Sequence, residues 1–541
     1  MRANCIIIAL RDTRKERGLV IMMMKRSAGI LLPIFSLPSP YGIGSIGKEA
    51  RAFADFLKEA GQTWWQILPV GPTGGGDSPY TTLSTFAGNP YFIDLDALAE
   101  EGLLTADELK AAKVPDGDKI DYGALYETRP ALLRKAFSRI TPETARAARE
   151  FRDKYGWVRD YTLYQALKER FGGKAWFDWP DQALRQHEHH AIEKWHRDLE
   201  PEIAYHTWEQ YCFFRQWDAL KQYVNGLGIK LIGDLPIYVS LDSSDVWAER
   251  SQFQLDAQGH PTKVAGVPPD YFSEDGQLWG NPLYDWNAMK QDGFGWWIRR
   301  VEGASRLFDA IRIDHFRAME SYWAVPADSK TAKNGEWVKG PGMDLLRVLT
   351  SWFHNVTYIA EDLGILTDAV HELRDNSGLP GMKVLEFAFS DASNSYLPHN
   401  YTNPNCICYT GTHDNDTLMG WCASVKKGEK AYAEKYLGVK GKEAMRQAVL
   451  RAGQGSVAVL FVAQMQDYLG LGTEARTNVP GVATGNWRWR MLPGAATEKV
   501  AEEIRELTET YGRCAPRPVE KPDKAAKKAA KAEAKAAKKA E

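Results

Sequence analysis

Short apolar runs that end in an acidic residue recur along this chain. The clearest is residues 310–319 (AIRIDHFRAM), where apolar and charged positions alternate. A strand has a side-chain period of two, so Arg312 and Asp314 share one face and Ile311 and Ile313 the other. Similar runs occupy 230–234 (KLIGD), 356–362 (VTYIAED) and 406–416 (CICYTGTHDND). Each is separated from the next by enough chain for a helix, the rhythm of parallel strands joined by crossovers. Counting 63–70, 89–98, 229–239, 312–314, 356–364, 381–389, 406–416 and 456–470 predicts eight strands. If such a sheet closes into a (β/α)8 barrel, its strand-end carboxylates converge on one mouth.

The rhythm breaks once. From about 100 to 209 the sequence is charged, amphipathic and helix-rich without strand-plus-acid runs, which predicts an inserted helical subdomain. Residues 71–80 (GPTGGGDSPY) read as a loop at a strand's C-terminal end and contain no phosphate-binding glycine motif. Residues 264–286 read as a long aromatic loop covering a site. Residues 1–25 are expected to be an N-terminal extension, and 516–541 a low-complexity Lys/Ala tail with no apolar face to bury. The remainder, 26–515, is expected to be one catalytic unit, since barrels with insertions can exceed about 400 residues.

Charge and composition narrow the partner. The chain has 68 Lys+Arg against 70 Asp+Glu, which gives no argument for nucleic acid or an anionic membrane. Its 19 Trp, 23 Tyr and 20 Phe suit sugar binding, because flat rings with a polar edge stack on pyranose faces. Six cysteines form neither a disulfide framework nor a zinc pattern, and Cys406 and Cys408 read as buried strand filler. A reducing, cytoplasmic setting is expected, with no signal peptide and no membrane span. His187, His189 and His190 lack companions at ligand spacing, so no metal and no cofactor are expected.

Strand-end acids without a metal motif or a dinucleotide fingerprint point to glycosidic bond cleavage by two carboxyl groups. Asp314, beside Arg312, suits the nucleophile, with its pKa expected to be lowered by the cation. Glu361 follows Tyr358, Ile359 and Ala360, apolar company that suits a proton donor. Spacing alone does not choose Glu361 over Asp362, which point to opposite faces. Asp414 beside His413 is placed to bond sugar hydroxyls.

The motifs DSPY (77–80), GDLPIYV (233–239), LWGNPLYDW (278–286), IRIDHFR (311–317), IAEDLG (359–364), GTHDN (411–415) and NWRWR (486–490) resemble the amylomaltase family of 4-α-glucanotransferases, in the α-amylase superfamily. The resemblance runs in order from about 26 to 514. It implies a TIM-type barrel with inserted subdomains, a retaining double displacement, and transfer of α-1,4-glucan segments between maltooligosaccharides. On that resemblance Asp314 is the nucleophile, Glu361 the acid/base and Asp414 the transition-state stabiliser. The expected substrate-binding residues are Tyr80, Arg312, His413, Trp279 and Asp234, with Tyr80 stacking on the sugar and Trp279 in the covering loop. Val482 and Leu241 depart from residues common in the family. Two rival readings are a hydrolase of the same superfamily and a catalytically dead glucan-binding protein; the latter would lack one of the three acids.

Overall fold

The computed structural model describes residues 24–515 apart from 270–272 and 365. All but the last two residues of the expected extension 1–25, and the Lys/Ala tail 516–541, lie outside the described residues.

Twelve strands are described: β1 (Ser27–Leu31), β2 (Trp64–Gln66), β3 (Lys230–Leu235), β4 (Lys263–Val267), β5 (Gln277–Pro282), β6 (Ala310–Ile313), β7 (Ser321–Pro326), β8 (Glu336–Lys339), β9 (Thr357–Ala360), β10 (Gly381–Val384), β11 (Cys406–Tyr409) and β12 (Leu460–Gln464). Eight form a parallel sheet in the order β10-β11-β12-β1-β2-β3-β6-β9. The two end strands of that order are consecutive in the chain, and Ala360 N–H donates to Pro380 O at 2.9 Å, nearly closing the sheet into a barrel. β6, β11 and β12 are buried along their whole length, as expected for parallel strands covered by helices on one side and packed barrel interior on the other. Cys406 and Cys408 are buried on β11, as their spacing predicts.

Two expectations are corrected. Residues 89–98 are not a strand. Pro90 opens a 3₁₀ turn in which the Asn89 side chain accepts from Tyr91 N–H, and Asp94 caps the helix Leu95–Glu100 by accepting from Ala97 N–H. Of the two aspartates that imitate strand alternation, Asp94 is a helix cap and Asp96 lies in the first turn of that helix. The eighth barrel strand is instead β1, where Gly29 is required: a Cβ there would lie 2.7 Å from Trp64 Cβ on the neighbouring strand.

The second correction concerns 264–286. This segment contains β4 and β5, which join β7 and β8 in an antiparallel sheet of order β5-β4-β7-β8. β6 leads through Asp314 and the one-turn helix Arg317–Glu320 directly into β7. The small sheet is thereby anchored at the mouth of the barrel.

Helices dominate 100–209, and the longest, Glu200–Gly226, leads into β3. The aromatic count goes mainly into core: Trp65, Trp176, Trp179, Trp208, Trp217, Trp247, Trp296 and Trp297 are fully buried. On the long helix, buried His206 lies 2.8 Å from Glu209 Oε2 and 3.3 Å from Glu169 Oε1. Burial pulls its pKa down, but the two carboxylates outweigh burial and push it up to about 9. A raised folded-state value means this stabilisation is complete below the ordinary histidine value and is lost as pH rises through about 9. The melting temperature is therefore expected to fall between pH 7 and about 9.5, and to fall less in His206→Gln. Equal declines in the two proteins would refute the assignment.

Candidate active site

Strand register builds the site. In the barrel Asp234 of β3 sits opposite Arg312 of β6, and Arg312 opposite Ile359 of β9. Arg312 Nη1 donates to Asp234 Oδ2 at 2.6 Å and to Asp314 Oδ1 at 3.0 Å. Tyr80 reaches the same cluster from the loop after β2, its hydroxyl donating to Asp234 Oδ2 at 2.6 Å. Having given its one proton away, the Tyr80 oxygen accepts from His413 Nε2–H at 2.9 Å. His413 follows β11, stacks on the Tyr80 ring at 5.2 Å, and lies 3.4 Å from Asp414 Oδ1. Burial pushes the imidazole pKa down, with Asp414 pulling the other way.

Glu361 closes the arrangement just beyond β9. Its Oε2 accepts from His315 N–H at 2.7 Å and its Oε1 from Leu363 N–H at 2.9 Å. The backbone turn that aims His315 N–H requires φ = 48° at that residue, a left-handed conformation uncommon outside glycine. Asp362 points the other way, to Arg374 Nη1 at 2.7 Å and Met382 N–H at 2.7 Å. The ambiguity between the adjacent acids is one of facing, and Glu361 is the one beside Asp314. Trp279 on β5 packs edge-on against the His315 ring at 4.9 Å. All eight expected site residues are thus brought to the C-terminal mouth of the barrel.

The electrostatics correct one expectation. Arg312 does pull Asp314 down, but burial is the larger influence and the net direction is up. Burial raises Glu361 as well, with Asp314 adding to the rise and Arg312 opposing it. Glu361 has only backbone N–H donors where Asp314 has a guanidinium within hydrogen-bond distance, so burial is less offset at Glu361.

A sequence model of the 4-alpha-glucanotransferase family matches residues 32–496. The chain belongs to the 4-alpha-glucanotransferase family. A 4-alpha-glucanotransferase of Thermus thermophilus is 48% identical over 504 residues, covering 91% of this chain and 100% of the relative. That of Clostridium butyricum is 46% identical over 487 residues, 89% of this chain and 99% of the relative. Among solved structures, an amylomaltase from Streptococcus agalactiae in complex with acarbose superimposes with a TM-score of 0.88 at 40% identity, covering 91% of this chain and all of that one. The barrel and its mouth are therefore those of a family of 4-alpha-glucanotransferases, and this chain is an enzyme of that activity.

Sequence reasoning missed residues that hold this family member's site together. Asn478 Nδ2 donates to Asp414 Oδ1 at 2.6 Å, and Arg476 Nη2 to Asp414 O at 2.6 Å. Trp487 packs on both Tyr80 and His413, at 5.7 and 5.9 Å. Trp487 lies inside a recognised motif, but nothing in its spacing gives the partner. Among the described residues no group of three or more His, Cys, Asp or Glu is arranged to hold a metal ion. No helix among them is long and apolar enough to cross a membrane.

Proposed function

We propose that this enzyme transfers segments of α-1,4-glucan to the 4-hydroxyl of glucose or another maltooligosaccharide by a retaining double displacement. The observation that carries the reading is the unequal pair at adjacent strand ends. Asp314 is paired with a cation and Glu361 is buried without one. An Asp314 oxygen attacks the anomeric carbon as the glycosidic C–O bond breaks, and Glu361 gives its proton to the departing oxygen. The shortened glucan leaves, and the incoming 4-hydroxyl loses its proton to Glu361 as its oxygen displaces Asp314. Tyr80 and His413 supply a flat wall for the sugar at the cleaved bond. Asp414 accepts from its hydroxyls, and those bonds strengthen as the ring flattens. The free, buried Cys406 and Cys408, two apart on β11, suit a reducing cytoplasmic compartment.

Pure maltotriose supplies the test. Glucose and longer oligomers should appear together, and the new linkages should keep the α configuration. Glucose and maltose alone would mean a hydrolase, and β-linked products would mean inversion.

Transfer over hydrolysis is assigned to the small sheet. Water and an acceptor hydroxyl compete for the same glycosyl-Asp314 bond, and an acceptor wins only if it is held in line while water is kept away. Trp279, 38% exposed and braced by His315, is the aromatic surface at that position. Trp279→Ala should lower the transfer-to-hydrolysis ratio roughly 2- to 12-fold, the scale of one aromatic contact. The check is reducing-sugar yield per bond cleaved, and an unchanged ratio would remove Trp279 from this role.

A further inference from the structure

The helix Gly295–Leu307 carries a buried cation that the reaction does not use. Arg300 is 1% exposed and makes no ion pair within 4 Å among the described residues. A guanidinium taken out of water is costly unless its donors are met and its charge is answered. Here the charge is met by ring faces and, beyond ion-pair distance, by the buried Asp245 carboxyl: Trp297 and Trp296, three and four residues earlier on the same helix face, lie 4.9 and 5.2 Å from its Cζ. The donors are met by three separate segments. Nε donates to Thr85 Oγ1 at 3.0 Å, Nη1 to Ile237 O at 3.0 Å and to the Tyr284 hydroxyl at 3.1 Å, and Nη2 to Pro236 O.

Those segments are the ones that carry the substrate-facing groups. Thr85 lies five residues beyond Tyr80 in the same loop. Pro236 and Ile237 are the exit of β3, two and three residues after Asp234. Tyr284 follows β5 and Trp279, and its own hydroxyl donates to Ile237 O at 2.7 Å. Tyr284 also stacks on Tyr238 at 6.0 Å, and Tyr238 in turn meets Trp279 at 6.3 Å. A lysine could fill the volume but not the fan, because only the planar fork presents five donors at fixed angles.

We infer that Arg300 is a positioning residue that fixes the Tyr80 loop, the Asp234 strand exit and the Trp279 hairpin to one another, so that the sugar wall and the acceptor platform stay in register. This rests on the glucan-transfer reading above. The test uses two variants of the full chain. Arg300→Lys keeps the charge and loses the fan, and Tyr284→Phe removes only the hydroxyl that ties the hairpin to β3. Both are measured on maltotriose for transfer-to-hydrolysis ratio and for KM and kcat separately, with folded fraction scored by melting.

If Arg300 positions the site, both variants lower the ratio by about 2- to 10-fold, the size of a lost buried hydrogen bond, and raise KM more than they lower kcat. A merely structural role lowers the melting temperature and the active fraction but leaves ratio and KM of the folded protein unchanged, and that result overturns the inference. Should Arg300→Lys fail to fold, Tyr284→Phe decides alone by the same readouts. Failure of the glucan-transfer reading would look different, because the unaltered enzyme would then make no longer oligomers from maltotriose.

Discussion

Asp314→Asn is expected to abolish glucan transfer while leaving the fold in place. The amide keeps the shape of the carboxylate and, on the proposed mechanism, removes the atom that bonds the anomeric carbon, so the loss should be about 10⁴-fold or more, as when a nucleophile is removed from an enzyme that depends on one. The reason to expect an intact fold is specific. Arg312 donates to both Asp234 and Asp314, so the variant leaves the buried guanidinium paired with Asp234 at 2.6 Å rather than stranded. Transfer from maltotriose, measured beside a melting curve, checks both halves. Activity within about tenfold of the unaltered enzyme in folded protein would place the nucleophile elsewhere.

Glu361→Gln should cost roughly 10²- to 10⁴-fold with maltooligosaccharide donors, the range for removing a general acid, and should change the pH profile. Burial first, and then the neighbouring Asp314, raise the Glu361 pKa above the ordinary glutamate value. On the proposed mechanism the acid therefore holds its proton to higher pH than an exposed glutamate does. Activity should fall only as pH rises through that raised value, and this alkaline limb should vanish in Glu361→Gln. A leaving group that needs no proton separates the two acids. With a maltosyl fluoride donor Glu361→Gln should regain fluoride release, and Asp314→Asn should not. Rescue of both variants, or of neither, would contradict the division of labour.

How legible this was in the sequence depended on where each residue's partners lie. β3, β6, β9 and β11 announce themselves because a buried run ends at or just before an acid, and both facts are local. β1 is hidden because SAGIL is short and interrupted by Gly29, whose reason is close approach to Trp64 on another strand. Residues 89–98 mislead because Asp94 and Asp96 alternate with Ile93 and Leu95 as in a strand, whereas Asp94 caps a helix and Asp96 lies in its first turn. The hairpin of β4 and β5 reads as loop because its pairing partner, β7, lies more than fifty residues on.

The site shows the same division. Arg312 beside Asp314 follows from period two, but the net rise in the Asp314 pKa does not, since it depends on burial by the whole barrel. Glu361 against Asp362 is undecided until β10 places Met382 N–H beneath Asp362. Arg476 and Asn478 support Asp414 from a loop more than sixty residues away, and no local pattern marks them.

The central claim is a covalent glycosyl-Asp314 intermediate, and trapping it is the most direct test. Glu361→Gln with maltosyl fluoride should form the ester at a rate independent of the missing acid and hydrolyse it slowly, because the base that activates the acceptor is also gone. Digestion and peptide mass analysis should then find one maltosyl increment on the peptide containing Asp314. An increment on any other residue, or fluoride release with no adduct and a β-configured product, would contradict the account.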